Sequence, residues 1–273
     1  MIKIFDVHTH VFPDKVAARA LSTLVAKASN AIFPFTKGTA ENLKLQAKEA
    51  GYTAYMNCPV ATNAKQMHSV NDWSADLNAW PHLSMGSIHP TAPDAVEELE
   101  RIKKLGLAGL KLHPEYQEFN CLEKRMEPIW EKCVELKMPV LIHGGRDIGF
   151  PNCLHSTPAD FAELNRRYPE MTLICAHLGG WQLWDLVLKD LVGKPVYLDT
   201  SYTLPCMKNP KMFKEIILKH GIDHILYGTD SPWSDLKPAI QGIKDLHLDP
   251  KDQEKIFWGN ANKIFHLEQY ESN

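Results

Sequence analysis

Eight short apolar runs, each followed by helix-forming sequence, limit what this chain can fold into more than any other feature. They cover residues 2–10, 52–57, 83–89, 108–113, 139–143, 171–177, 195–199 and 223–228. Most are continuously apolar rather than alternating, the pattern of strands buried on both faces in a parallel sheet. Helix signals lie between them. Gly51 stops an amphipathic segment that starts at Glu41, and Pro93 stands where a first helical residue should. Thr157-Pro158 reads as a cap and first helical residue, and a helix starts at Asn209-Pro210. Further helices are predicted over 12–30, 64–79, 94–105, 121–137 and 181–191. The unit recurs roughly every 30 residues, close to what a (β/α)8 barrel of about 250 residues requires. The spacing therefore predicts an α/β fold, a TIM barrel, as a single domain over residues 1–273, with no Pro/Gly/Ser-rich linker dividing it. An open doubly wound sheet is the rival, but the G-x-G-x-x-G turn of many nucleotide-binding members is missing.

In such a barrel the chemistry collects at the C-terminal ends of the strands. The first run ends in His8 and His10, the third in His89, and the fourth in Lys111 and His113. The fifth ends in His143, the sixth in His177, and Asp230 follows the eighth. Residues two apart on a strand share a face, so His8 with His10, and Lys111 with His113, each point one way. Histidines at five of eight strand ends, with a carboxylate after the last strand, point to a metal site rather than to packing. Imidazoles and one carboxylate suit a borderline divalent ion, zinc first, with manganese or iron as alternatives. Such an ion would lower the pKa of bound water from 15.7 to about 7.

Other features exclude function classes. The net charge of −3 comes from 30 basic and 33 acidic residues with no like-charge block, so nothing suggests a nucleic-acid or anionic-membrane partner. No apolar run approaches the roughly 20 residues of a membrane helix, and no signal peptide is recognisable. Six scattered cysteines without a C-x-x-C pair read as reduced core thiols in a cytoplasmic protein. His68, His82, His220, His224, His247 and His266 fall on helices or strand starts, away from the expected active face.

Five segments in order, Asp6-Val7-His8-Thr9-His10, Gly109-Leu110-Lys111-Leu112-His113-Pro114, Val140-Leu141-Ile142-His143-Gly144-Gly145, Ala176-His177-Leu178-Gly179-Gly180-Trp181 and Tyr227-Gly228-Thr229-Asp230-Ser231-Pro232-Trp233, resemble the amidohydrolase superfamily. More narrowly, they resemble its amidohydrolase-related branch, which includes aminocarboxymuconate-semialdehyde decarboxylase-like enzymes. Trp258 to Phe265 is similar to that branch's usual C-terminal helix start, so the likeness runs to about residue 268.

The resemblance implies that His8, His10, His143 and Asp230 bind one divalent metal, with Asp230 also the general base or proton shuttle. It implies that His177 is either a ligand of a second metal or the residue that orients water and polarises substrate; single-metal members of the branch favour the second role. Lys111 is a carboxylated bridge to a second metal in binuclear relatives. Its other reading, favoured here, is a barrel-mouth cation for an anionic substrate group. His113 leans toward the pocket and His89 toward a supporting position. Arg146 either clamps a carboxylate or is solvated. Trp233 shapes the pocket wall, and His155 lies on a loop at the same face. The leading expectation is hydrolysis of an amide, lactone or related carbonyl of a small, anionic substrate. The alternative is non-oxidative decarboxylation of an unsaturated or aromatic carboxylate, with Arg146, Trp181 and Trp233 facing a planar acid. A catalytically inactive metal-binding barrel is the third reading. Barrels of this branch are often homodimers.

Overall fold

A computed structural model describes residues 2–207 and 209–271. The eight strands are β1 (Phe5–Thr9), β2 (Ala54–Asn57), β3 (His82–Ser84), β4 (Leu110–Leu112), β5 (Val140–Ile142), β6 (Leu173–Cys175), β7 (Tyr197–Asp199) and β8 (Ile225–Leu226). All pair in parallel, β1 to β3 in one sheet and β4 to β8 in another. Two seams join the sheets into a ring. At one, Gly86 bridges to Leu110, with Gly86 N–H donating to Gly109 O and Lys111 N–H to Gly86 O. At the other, Thr9 bridges to Ser231, with Val7 N–H donating to Tyr227 O and Asp230 N–H to His8 O. The chain is thus an α/β barrel.

Helices α1 (Asp14–Lys27), α2 (Ala40–Ala50), α3 (Met67–Leu77), α4 (Ala95–Lys104), α5 (Pro114–Gln117), α6 (Glu127–Glu135) and α7 (Pro158–Arg167) follow the first five strands. Others occupy Pro210–His220, Leu236–Lys244 and Asn260–Phe265. Among the described residues no helix is long and apolar enough to cross a membrane. The expected caps form: Gly51 ends α2 at φ 83°, Thr157 and Asp160 close a capping box on α7, and Asn209 caps Pro210. Three expectations shift. Pro93 lies before the Asp94 cap of α4 rather than inside the helix. The segment from Cys121 becomes helical only at a 3-10 turn, Lys124–Met126, leading into α6. The helix expected from Trp181 starts at Trp184 and passes into a π turn at Val187–Leu191.

The period of two sorts the strand residues into an interior and a shell. Phe5, Val7, Met56, Leu83, Leu141, Ile174 and Leu226 meet inside the ring, although they come from six different strands. Their neighbours Leu110, Leu112, Val140, Ile142, Leu173 and Leu198 pack outward on helix residues such as Leu99, Trp130 and Phe161. With Phe5 and Val7 inside, alternation alone would send His8 outward. The ladder between β1 and β2 slips between Asp6 and Thr9, and this irregularity swings His8 into the mouth.

Candidate metal centre

The mouth is floored by buried polar groups. His8 Nδ1 lies 2.8 Å from Asp199 Oδ2, and its Nε2 lies 2.8 Å from Lys111 Nζ and 3.2 Å from His10 Nε2. Asp230 Oδ1 stands 3.0 Å from His10 Nε2 and 3.5 Å from His8 Nε2. On the other side His177 Nε2 faces His143 Nδ1 at 3.0 Å, and the His143 ring stacks on His113 at 4.0 Å. His113 Nε2 lies 3.3 Å from Asp147 Oδ2. Two groups of ligand atoms form: His8, His10 and Asp230, and His113, His143 and Asp147. His143 thus sits with the second group, joined to the first through His177, whose ring centroid is 5.4 Å from that of His8.

Backbone geometry aims several of these groups. His177 and Asp230 adopt left-handed φ values of 58° and 64°, sparsely populated conformations for residues other than glycine and concentrated at functional sites. The glycine pair after His143 is required by close approach. A Cβ on Gly144 would meet Ala176 O at 2.7 Å, and one on Gly145, at φ 89°, would meet Trp181 N at 2.2 Å.

The outer nitrogens of His8, His143 and His177 are each engaged by an acceptor. His8 Nδ1 faces the Asp199 carboxylate, His177 Nδ1 faces Ser201 O at 2.9 Å, and His143 Nε2 faces Arg146 O at 3.1 Å. Each acceptor calls for the proton on that outer nitrogen, which leaves the inner nitrogen a bare lone pair in a neutral ring. The rings of His8 and His143 are held neutral. Burial, with the Lys111 cation, lowers His8 to about 4, and burial takes His143 well below its ordinary value. Two inner lone pairs, on His177 and His143, then face each other at 3.0 Å with no proton to share, an arrangement that a cation relieves. Burial pulls the Asp230 carboxyl up, but its hydrogen bond with His10 and the surrounding imidazoles outweigh this and leave it below the usual range. Neutral imidazoles, an ionised carboxylate and outer acceptors that orient the rings are the donor set of a divalent metal site.

Asp199 is the main site residue that sequence reasoning passed over. It ends β7 at the rim, as the other site residues end their strands. It accepts from His8 Nδ1, the His177 and Ser201 backbone N–H groups and the Ser201 hydroxyl. These contacts hold it well below the usual carboxylate range against its burial. Asp147 was also missed; only its place on the loop after His143 could have suggested it.

A cavity of about 620 Å³ opens over this floor. Lys111, His113, Arg146 and Trp233 all line it, together with Tyr116, Trp181 and Tyr202. Lys111 is buried, and that burial lowers its ammonium. Arg146 is exposed, and its guanidinium makes no ion pair among the described residues. His89 and His155 are not in the lining. His89 Nδ1 bonds Thr91 Oγ1 at 2.9 Å, and His155 turns toward Glu115. Five residues past the end of β3, His89 falls outside the mouth, because that strand is shorter than the run that contains it. His68, His82, His220, His224, His247 and His266 also lie outside the lining, as expected.

A family model described as amidohydrolase matches residues 5–267. A gamma-resorcylate decarboxylase from Polaromonas sp. is 22% identical over 220 residues, 63% of this chain and 66% of that protein. Dihydroorotases of Helicobacter pylori and a related species match over only 47% of their length, so this chain spans about half to two thirds of the curated relatives it matches. Among solved structures, 2,6-dihydroxybenzoate decarboxylase from Rhizobium superposes with a TM-score of 0.74 at 17% identity, covering 98% of this chain and 100% of that one. A dihydroxybenzoic acid decarboxylase from Polaromonas sp., with bound manganese and 2-nitroresorcinol, superposes at 0.69 and 17% identity over 98% of each chain. A probable 2-pyrone-4,6-dicarboxylic acid hydrolase from Acinetobacter baumannii, with bound citric acid, superposes at 0.67 and 16% identity, over 97% of this chain and 99% of that one.

Proposed function

The chain belongs to the amidohydrolase family, and from that premise we propose that it is a metal-dependent decarboxylase of an aromatic or unsaturated carboxylate. This reverses the order of the two enzymatic readings of the sequence, in which hydrolysis led. The observation that carries it is the character of the mouth. Two cations, Lys111 and Arg146, border a cavity walled by Tyr116, Trp181, Tyr202 and Trp233. Cations bind a carboxylate or phenolate, and flat aromatic walls suit a planar ring. The decarboxylases among its relatives support the same order.

His8, His10 and Asp230, with His143, would hold the ion. The manganese-bound neighbour supports manganese beside the zinc expected from sequence. When bound, a divalent ion supplies a Lewis acid for substrate oxygens. Asp199 fixes His8 as the Nδ1–H tautomer, and Ser201 O does the same for His177. Lys111 and Arg146 seat the acid, and the aromatic walls exclude water. Loss of CO₂ breaks one C–C bond and leaves its electron pair on the ring carbon, which takes a proton. Asp230 is positioned to carry that proton, and His10, 3.0 Å away, to resupply it. Lys111 acts unmodified in this scheme, as a charge in the mouth.

Hydrolysis of a lactone or amide is the second reading, supported by the hydrolase among the neighbours and by the same floor. The two separate by product. Protein reconstituted with manganese or zinc is offered hydroxybenzoates and other unsaturated acids in one series, and lactones and acyl-amides in another. The proposal expects CO₂ release from the first series. Acid release from the second without CO₂ from the first overturns it in favour of hydrolysis. Failure to hold about one equivalent of metal overturns both.

A further inference from the structure

The cavity has a second end that the chemistry at the floor does not use. On α1, Val16, Ala20 and Leu24 stand four residues apart, so they form one stripe, and all three line the cavity. The helix packs on the barrel with a different stripe, Ala17 and Leu21, which are its buried residues. Across the opening, Ser69, Val70 and Trp73 present one face of α3 to the same space. Val16 is 46% exposed, and Leu24, Val70 and Trp73 are only half-buried. Two helices therefore hold facing, mostly uncharged surfaces apart, beyond the cationic mouth. Space is the second observation. Even at about 30 Å³ per heavy atom, the generous share of one water, a ten-atom aromatic acid fills at most about 300 Å³. That is about half of the 620 Å³, so a bare ring acid leaves the helix-lined end empty.

We infer that the substrate is an amphiphilic carboxylate, its acid group seated near Lys111 and Arg146 and an apolar tail lying between α1 and α3. The inference rests on the proposed reading of the head group as an acid, and deepens it. The tail covers the Val16–Ala20–Leu24 stripe against Val70 and Trp73, burying apolar surface that neither helix buries on its own. The head supplies orientation and the tail supplies affinity, the usual division of labour in a mainly apolar pocket with few polar groups.

The test is a series of 4-alkyl-2-hydroxybenzoates, from methyl to octyl, with binding read by calorimetry and turnover by CO₂ release, both on metal-loaded protein. Each methylene buried in the arm is expected to tighten Kd by about fourfold until the arm is full. Leu24→Trp, which fills the arm from α1, is expected to flatten the series; Val70→Asp, which charges the facing wall, is expected to do the same should the first variant not fold. An alkylamine of matching length is expected to bind at least tenfold more weakly than the acid. A Kd that does not change with chain length in the wild-type protein overturns the inference, and so does an amine that binds as tightly as the acid. Failure of the enzymatic reading is distinguishable. A length-dependent Kd without CO₂ release removes the decarboxylase and keeps the tail site, whereas CO₂ release with a flat Kd does the reverse.

Discussion

Two polar clusters of this barrel, each built around a buried carboxylate, use the same residue types in opposite ways. On the outer side of the ring, between α3 and α4, Glu98 accepts from Arg101 through both carboxylate oxygens at 2.8 Å and from Asn71 Nδ2 at 2.6 Å. His68 places one nitrogen 2.8 Å from Glu98 and the other 2.8 Å from Asp94. Arg101 reaches Asp72 as well, and Asn71 exchanges hydrogen bonds with the backbone of Ser87. Donors there meet acceptors and the network closes on itself. At the mouth, His8, His143 and His177 satisfy their outer nitrogens, and His143 and His177 turn their inner ones toward each other. A closed network lends rigidity, whereas a convergent one leaves a demand that only a ligand can meet. Histidines and carboxylates in a buried cluster are therefore no evidence of a site until the direction of the free lone pairs is known.

That contrast can be broken most forcefully at Asp230. Asp230→Asn keeps the shape but removes the charge that the proposed mechanism uses to hold the metal and carry the proton. It is expected to lower kcat by about 10²–10⁴ with an unchanged circular dichroism spectrum; a variant that turns over like the parent takes Asp230 out of the chemistry. Asp199→Asn comes next. It weakens the acceptor that orients His8, and is expected to lower metal affinity by about 10–100-fold, read by competition with a chelator. Unchanged affinity would make Asp199 a packing residue. The smallest effect belongs to the closed cluster. Glu98→Gln is expected to cost about 2 kcal/mol of stability in urea unfolding and to leave metal content unaltered.

The pH dependence sharpens the same point. The Arg101 and Asn71 hydrogen bonds hold Glu98 below its ordinary 4.5 despite burial. A depressed carboxyl contributes stability above its unfolded pKa and loses it as pH falls through the folded value. The gap between wild type and Glu98→Gln is therefore full at pH 7 and closes on acidification below about 4.5, as followed by urea midpoints. A gap that widens in acid contradicts the ion-pair account.

Most of the barrel was legible because parallel strands buried on both faces write continuous apolar runs, and caps such as Thr157-Pro158 write their own boundaries. Strand length was less legible. The run ending at His89 is buried almost throughout, but only Leu83 and Ser84 of it, with His82 before them, pair as β3, and burial without ladder pairing leaves no separate mark on a sequence. At the rim, the residues of the recognised motifs line one cavity. Asp199 carries the same strand-end signal as the others, but its part, a contact with His8 191 residues away, is written nowhere near it in the sequence. Nor could the slip in β1 be read, since it depends on how β2 pairs with β1. Without the strand partner, the period of two predicts that His8 and His10 share a side but not that Val7 points inward beside them.

The seam between the first and last strands carries a consequence for how the protein matures. Asp230 N–H donates to His8 O, and His10 N–H to Ser231 O, so the bonds that shut the ring run through the residues at its mouth. On a ribosome, His8 emerges long before Asp230 and waits for it through most of synthesis. Until the eighth strand docks, neither the closed ring nor the carboxylate side of the cluster exists. Acquisition of metal would thus report completion of the nascent chain, and a truncated product would be marked by its inability to load.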